Sequence, residues 1–251
     1  MNYTRISRYT FARGLRSRPI ALPSSISFRQ SGQRTFIAAY TMESSPRRHF
    51  QNPVIFVCDI QEKFRNAIWE FDKILLTAQK VLRAAGTLSI PVVVTTQNAA
   101  KLGDTVAELQ PLLLPSPRVT LADKTAFSML RVPAVSRLFP HIKDDGGEPS
   151  EVVIVGIESH ICVTQTSLDL LARGHRVYVL ADGVSSCNEQ EIPIALARLR
   201  AAGVVVTTSE SWLYECMGDA AIPEFREIAK LVKEKSGDTK TTLARLLGGR
   251  L

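Results

Sequence analysis

The sequence predicts a single doubly wound α/β domain: a mostly parallel six-stranded sheet with helices on both faces and strand one near its centre. Three observations carry that reading. The chain has 251 residues, 45% of them hydrophobic, enough for one sizeable core. Six apolar runs of strand length are continuous rather than alternating, as in strands buried on both faces of a parallel sheet. Amphipathic stretches of helical period lie between them, several closed by glycine.

The elements follow in order. Pro53 opens the first run, VIFVCDI, which gives way to polar QEKFR. Residues 68–86 place apolar side chains at helical spacing and stop at Gly86. The next runs are PVVVTT at 91–96 and RVTLA at 118–122, and between them PLLLPSPR at 111–118 reads as a loop by its prolines. KDDGGEPS at 143–150 is a second loop, leading into EVVIVGI at 151–157. CVTQTSLDLLARG predicts a helix ending at Gly174, HRVYVLA at 175–181 the fifth strand, CNEQEIPIALARLRAAG a helix ending at Gly203, and GVVVTTS at 203–209 the sixth strand. The domain is expected over residues 50–235, with 236–251 a poorly ordered tail. There is no internal repeat.

Charge is distributed unevenly. The net charge is +7, but residues 1–50 hold nine Arg and one Glu, leaving 22 basic against 23 acidic residues in the rest. The body is thus nearly neutral, with no basic stripe, and no nucleic-acid partner is expected. The first acidic residue is Glu43, and residues 1–45 have the Arg-, Ser- and Thr-rich, acid-poor composition of a mitochondrial transit peptide. Met42 offers a second start that would give a cytosolic form. No run of about 18 apolar residues exists, so no membrane span is expected. Cys58, Cys162, Cys187 and Cys216 are widely spaced, with no C-x-x-C pair and no histidine at ligand spacing, so neither a metal site nor a disulfide framework is expected.

In an open parallel sheet the ligand site lies at the carboxyl ends of the strands. Asp59 ends strand one, Lys124 follows strand three in DKTAFS, and Cys162 starts the helix after strand four. Backbone N–H groups at a helix start favour a thiolate there, a lysine ammonium acts in the same direction, and a carboxylate within reach can take the thiol proton. The amides of Glu158 and Cys162 are candidates for an oxyanion hole. Phe64, Trp69 and Phe127 are candidate apolar pocket walls, with core packing the ordinary alternative, and His160 lines the pocket or meets a second subunit. Cys187 reads as a helix-start or rim residue, and His141 and His175 as loop or strand-start residues with no partner. Strict alternation turns the Cys58 side chain to the face opposite Asp59, into the core.

Together, VIFVCDIQEKFR, DKTAFSML, VVIVGIESHICVTQTSLDLLARGHRVYVLADGVSS, ALARLRAAG and TTSE resemble the isochorismatase-like cysteine hydrolases, most of all the isochorismatase domain-containing proteins. The resemblance spans most of residues 53–234. It implies a Rossmann-like isochorismatase fold, an Asp59–Lys124–Cys162 triad, a cis peptide between Ile157 and Glu158, no cofactor and a homo-oligomer. Two departures bear on substrate. Nicotinamidases of this family place an Asp and several His after strand two to hold a metal, whereas that region here reads TTQNAAKLGDTVAEL. The strand-two His and Trp motif of enzymes that cleave the vinyl ether of isochorismate is absent as well. A retained Cys162 fits a small amide or related acyl substrate. A non-catalytic interaction protein that keeps the fold is the alternative, although a binding module has no need of all three residues.

Overall fold

The structure is a computed structural model that describes residues 47–248. The basic segment at 1–45, including Met42, lies outside the described residues. Six strands form one parallel sheet: β1 (Pro53–Cys58), β2 (Val92–Gln97), β3 (Val119–Lys124), β4 (Glu151–Ile157), β5 (Arg176–Ser185) and β6 (Val205–Thr207). Their spatial order is β3-β2-β1-β4-β5-β6. The chain therefore winds outward in one direction from β1 and in the other from β4, and the crevice between their carboxyl ends is the switch point at which such sheets bind ligands.

Long helices cover both faces: α1 (Phe71–Leu88), α5 (Thr164–Ala172), α6 (Glu191–Ala201), α7 (Ser209–Met217), α8 (Phe225–Glu234) and α9 (Ser236–Leu247). Single-turn helices α2 (Ala99–Leu102), α3 (Pro133–Ser136) and α4 (Ile142–Asp145) lie in the connections. The strands divide their side chains by pleat. Ile55, Val57, Val153, Val155 and Leu180 join one core with Ile74, Val81, Trp212 and Ile228 from α1, α7 and α8. Phe56, Ile154 and Val179 join the other with Leu170, Leu196 and Leu199 from α5 and α6. Burying each such side chain contributes on the order of 1.5–3 kcal/mol, so continuously apolar strands are what a two-faced sheet needs.

Several expectations change in detail. The first helix starts at Phe71 and runs through Gly86 to Leu88, because the residue that leaves the helix is Ser89 at φ 55°. Strand five extends to Ser185 beside β4, while strand six shortens to Val205–Thr207. Residues 236–247, expected as a poorly ordered tail, form α9. Its Leu246 joins the core against α1 and Thr242 is buried, so a polar sequence is ordered by one narrow apolar face. His175 has partners: the Ser150 N–H donates to Nδ1 at 3.2 Å and Nε2 lies 3.0 Å from the Pro140 carbonyl. No helix among the described residues is long and apolar enough to cross a membrane.

Candidate active site

Asp59 follows the last residue of β1 and has φ 52°, in the left-handed region that Asp tolerates better than most residues. That turn breaks the alternation of the strand. Cys58 and Asp59 consequently present their side chains to one site, and Cys58, expected to face away from Asp59, lies with Cys162 in the core beside α5 and α6. Gly156, opposite Cys58 on β4, has φ 117°, and a Cβ there would fall 2.0 Å from the Cys58 carbonyl oxygen. Only glycine lets the two central strands meet this closely at the switch point.

Lys124 ends β3, and its Nζ donates to Asp59 Oδ2 at 2.7 Å and to Gln97 Oε1 at 2.6 Å, and lies 3.6 Å from Cys162 Sγ. All three residues are buried, at 1%, 4% and 7% exposure for Asp59, Lys124 and Cys162. Thr95 Oγ1 donates to the other Asp59 oxygen at 2.8 Å, and Gln97 Nε2 donates to the Thr125 carbonyl at 2.8 Å, which fixes which end of the Gln97 amide faces the lysine. Burial by itself disfavours the Lys124 charge, but Cys58, Asp59 and Cys162 around it outweigh that and raise its pKa. Lys124 is thus a fixed cation rather than a proton shuttle.

Cys162 lies in one π-helical turn, Ser159–Val163, between β4 and α5, and not in the first α-helical turn. π turns recur at functional sites because the wider ring re-aims a side chain. Hydroxyls take up the loosened carbonyls: Thr164 Oγ1 donates to Ser159 O at 2.6 Å and Ser167 Oγ to Val163 O at 2.8 Å. The Ile157–Glu158 peptide is cis. Glu158 is tethered at its far end, where Oε2 accepts from the Cys187 N–H at 2.8 Å and from Cys187 Sγ at 2.9 Å.

Burial, followed by the Glu158 bond, pushes the Cys187 thiol up to about 11. Cys216, buried on α7, is pushed up to about 12, chiefly by burial. Cys58 is raised well above the ordinary range by burial, by its hydrogen bond with Cys162 and by the Asp59 charge. Cys58, Cys187 and Cys216 are therefore held protonated.

The remaining candidates divide. His160 Nδ1 lies 2.9 Å from Ser186 Oγ and 4.0 Å from Glu158 Oε2, at the rim. Phe127, half exposed, lies on the loop after β3, whereas Phe64 packs against the core on the α1 side. A cavity of about 510 Å³ at the β2–β3 edge is lined by Val94, Gln110, Leu113 and Leu121, and the triad is not part of its wall. Cys58, Thr95 and Gln97 are the site residues that sequence reasoning missed. The signal for the last two was the polar end of VVVTTQ, at the same carboxyl edge as Asp59.

Cys58, Asp59 and Cys162 offer three donor atoms within 4.8 Å of one another. The Lys124 ammonium is already bonded to that Asp59 carboxylate and beside that Cys162 sulfur, so a metal ion would face a fixed positive charge. The set suits a thiolate better than a cation.

The isochorismatase domain family matches residues 53–211. This chain belongs to it. A secreted isochorismatase effector, Isc1, of Phytophthora sojae is 42% identical over 72% of this chain and 84% of its own length. Human isochorismatase domain-containing protein 2 is 39% identical over 74% and 85%. Among solved structures, the MAR1 ribonuclease of Caenorhabditis elegans superposes with a TM-score of 0.66 at 38% identity, covering 75% of this chain and 93% of that one. As a member of the isochorismatase family, the chain carries an isochorismatase-like hydrolase fold around the Asp59–Lys124–Cys162 cluster.

Proposed function

We propose that the protein is a cysteine hydrolase of a small amide or related C–N acyl compound, with Cys162 as nucleophile. The observation that carries this is the buried Lys124 ammonium, 2.7 Å from a carboxylate and 3.6 Å from a thiol at the switch point of the sheet. In this reading the Cys162 proton passes to Asp59, whose carboxylate oxygen is within 4.8 Å of the sulfur, and Lys124 stabilises the thiolate. The thiolate attacks the substrate carbonyl, and the oxyanion is held by the amides of Glu158 and Cys162. Asp59 returns the proton to the leaving nitrogen as the C–N bond breaks. It then takes a proton from the water that hydrolyses the thioester, and the thiol re-forms. Gln97 and Thr95 orient the pair and do not touch the reacting atoms. His160 and Phe127 form the pocket rim in this reading.

The test is untargeted turnover of a metabolite extract by the parent and by Cys162→Ala. Compounds consumed by the parent alone, with an acyl adduct on Cys162 by mass spectrometry, support the reading. A single-stranded RNA belongs in the same assay because of the ribonuclease that the chain resembles. RNA cleavage that survives Cys162→Ala would assign the activity elsewhere.

Two further proposals concern the chain around the site. Leu121 on the edge strand β3 and Leu114 nearby are 61% and 67% exposed, and a homo-oligomer would cover them. Light scattering that gives a monomer at micromolar concentration contradicts this. Residues 1–45 act as a mitochondrial leader, with a cytosolic form begun at Met42. The basis is their composition, and a reporter fused to them that stays cytosolic contradicts it.

A further inference from the structure

The proposed hydrolysis uses one of the two thiols in this site. Cys58 has no step in it, yet its Sγ, the Asp59 carboxylate and Cys162 Sγ all lie within 4.8 Å of one another. Cys58 donates to Asp59 Oδ2 at 3.6 Å, the oxygen that Lys124 also holds. Cys58 continues the face of β1 that Phe56 presents, and the π turn carries Cys162 to that same face. The other cysteines are committed elsewhere. Cys187 is bonded to Glu158 at the rim, and Cys216 lies in the core on the opposite face of the sheet.

We propose that Cys58 and Cys162 form an oxidative modification site that takes a hydroperoxide and closes to a disulfide, with Cys162 the oxidised thiol and Cys58 the resolving one. This rests on the reading of Cys162 as a nucleophilic thiolate. The Cys162 thiolate attacks the terminal oxygen of the hydroperoxide and the O–O bond breaks. Sulfur is oxidised by two electrons to the sulfenic acid, and the departing alkoxide or hydroxide takes the proton held on Asp59. Cys58 then gives its proton to Asp59 Oδ2 and attacks Cys162 Sγ. The S–O bond breaks, and the hydroxide leaves as water with that same proton. The balance is two thiols and one hydroperoxide giving one disulfide, one alcohol or water, and one water. Closing the sulfurs from their present separation to about 2.05 Å needs side-chain movement at the end of β1 and in the π turn after β4.

Order of reaction follows from placement. Cys58 is fully buried and bonded to Asp59, so an oxidant meets Cys162 first. Cys58, already beside it, then competes with a second peroxide for the sulfenic acid. The disulfide would stop hydrolysis reversibly and keep Cys162 from the irreversible sulfinic and sulfonic acids.

The test treats the reduced full-length protein with a few equivalents of hydrogen peroxide, removes the peroxide, blocks free thiols with iodoacetamide in urea, and maps peptides by mass spectrometry without reductant. The expected result is a linked Cys58–Cys162 peptide that dithiothreitol releases, with Cys187 and Cys216 alkylated. Cys58→Ser and Cys58→Ala, each checked for folding by circular dichroism, should instead accumulate sulfinic and sulfonic Cys162 and give a dimedone adduct. Overoxidised Cys162 in the parent without the linked peptide, or a Cys162–Cys187 link, overturns the proposal. An untreated control separates the two readings. If iodoacetamide labels Cys162 in the reduced protein at neutral pH but no Cys58 link forms, only the thiol pair fails. If Cys162 resists both reagents, the nucleophile reading fails with it.

Discussion

Two buried lysines, each set beside an aspartate, lie on opposite faces of the sheet, and they differ in what the lysine faces. Lys124 holds Asp59 directly and points at a thiol. Lys80, on α1, donates to Thr239 Oγ1 at 2.8 Å, and Asp182 is spent on the N–H and hydroxyl of Ser209 at the start of α7. Their pKa values move in opposite directions. Burial dominates at Lys80 and lowers it, whereas Asp59 and the two thiols around Lys124 outweigh burial and raise it. A buried charge is therefore no mark of catalysis by itself. The set at Lys80 ties α1, α7 and α9 to the sheet, and the set at Lys124 has a thiol in it.

The largest effects should separate the two sets by kind. Asp59→Asn keeps the shape and removes the base, and turnover per folded molecule should fall by about 10² to 10⁴, the usual range for general acid–base work. Asp182→Ala leaves the Ser209 N–H without its partner and should cost about 1–3 kcal/mol in urea unfolding, with turnover per folded molecule unchanged. A rate loss at Asp182 equal to that at Asp59 would erase the distinction.

Substituting the lysines sharpens it. Lys124→Met strands a buried Asp59 carboxylate and should destabilise by about 3–5 kcal/mol, whereas Lys80→Met removes a cation that burial already penalises and should cost under about 1.5 kcal/mol.

The smallest effect is in pH. At Lys124 the folded pKa is raised, so its stabilisation is complete below the unfolded value of about 10.4 and fades as pH rises through the folded one. At Lys80 the folded pKa is lowered, so the folded state sheds that proton first and the local contribution grows as pH approaches the same value. Relative to the parent, Lys80→Met should lose more stability between pH 8 and 10.5, and Lys124→Met should lose less above pH 10.5. Slopes of the same sign would show that burial acts alike at both.

This contrast also shows what could be read from the sequence. The meeting of Asp59, Lys124 and Cys162 was legible because strand ends can be read from apolar runs, and parallel topology places those ends on one edge. The six strands were legible for the same reason. Cys58 is in the core as expected, but its separation from Asp59 was misread, because the alternation rule assumes extended backbone and Asp59 leaves it at φ 52°. The π turn at 159–163 was illegible because its residues also fit the α period. Helix α9 was missed because a polar segment with few apolar residues gives little periodic signal, and its order comes from packing on α1. Thr95 and Gln97 were overlooked because they act on neighbours brought in from β1 and β3, a relation that only the sheet order supplies.

The central claim is that the electrostatic setting of Cys162, rather than exposure, decides which thiol reacts. Site-resolved iodoacetamide labelling of the reduced protein at pH 7 tests it most directly. Cys187 is exposed and Cys162 is 7% exposed, so accessibility alone favours Cys187. The Asp59–Lys124 setting predicts the reverse: Cys162 labels first, and Lys124→Met slows it while leaving Cys187 unaffected. Cys187 labelling first, or an unchanged Cys162 rate in Lys124→Met, would contradict the account.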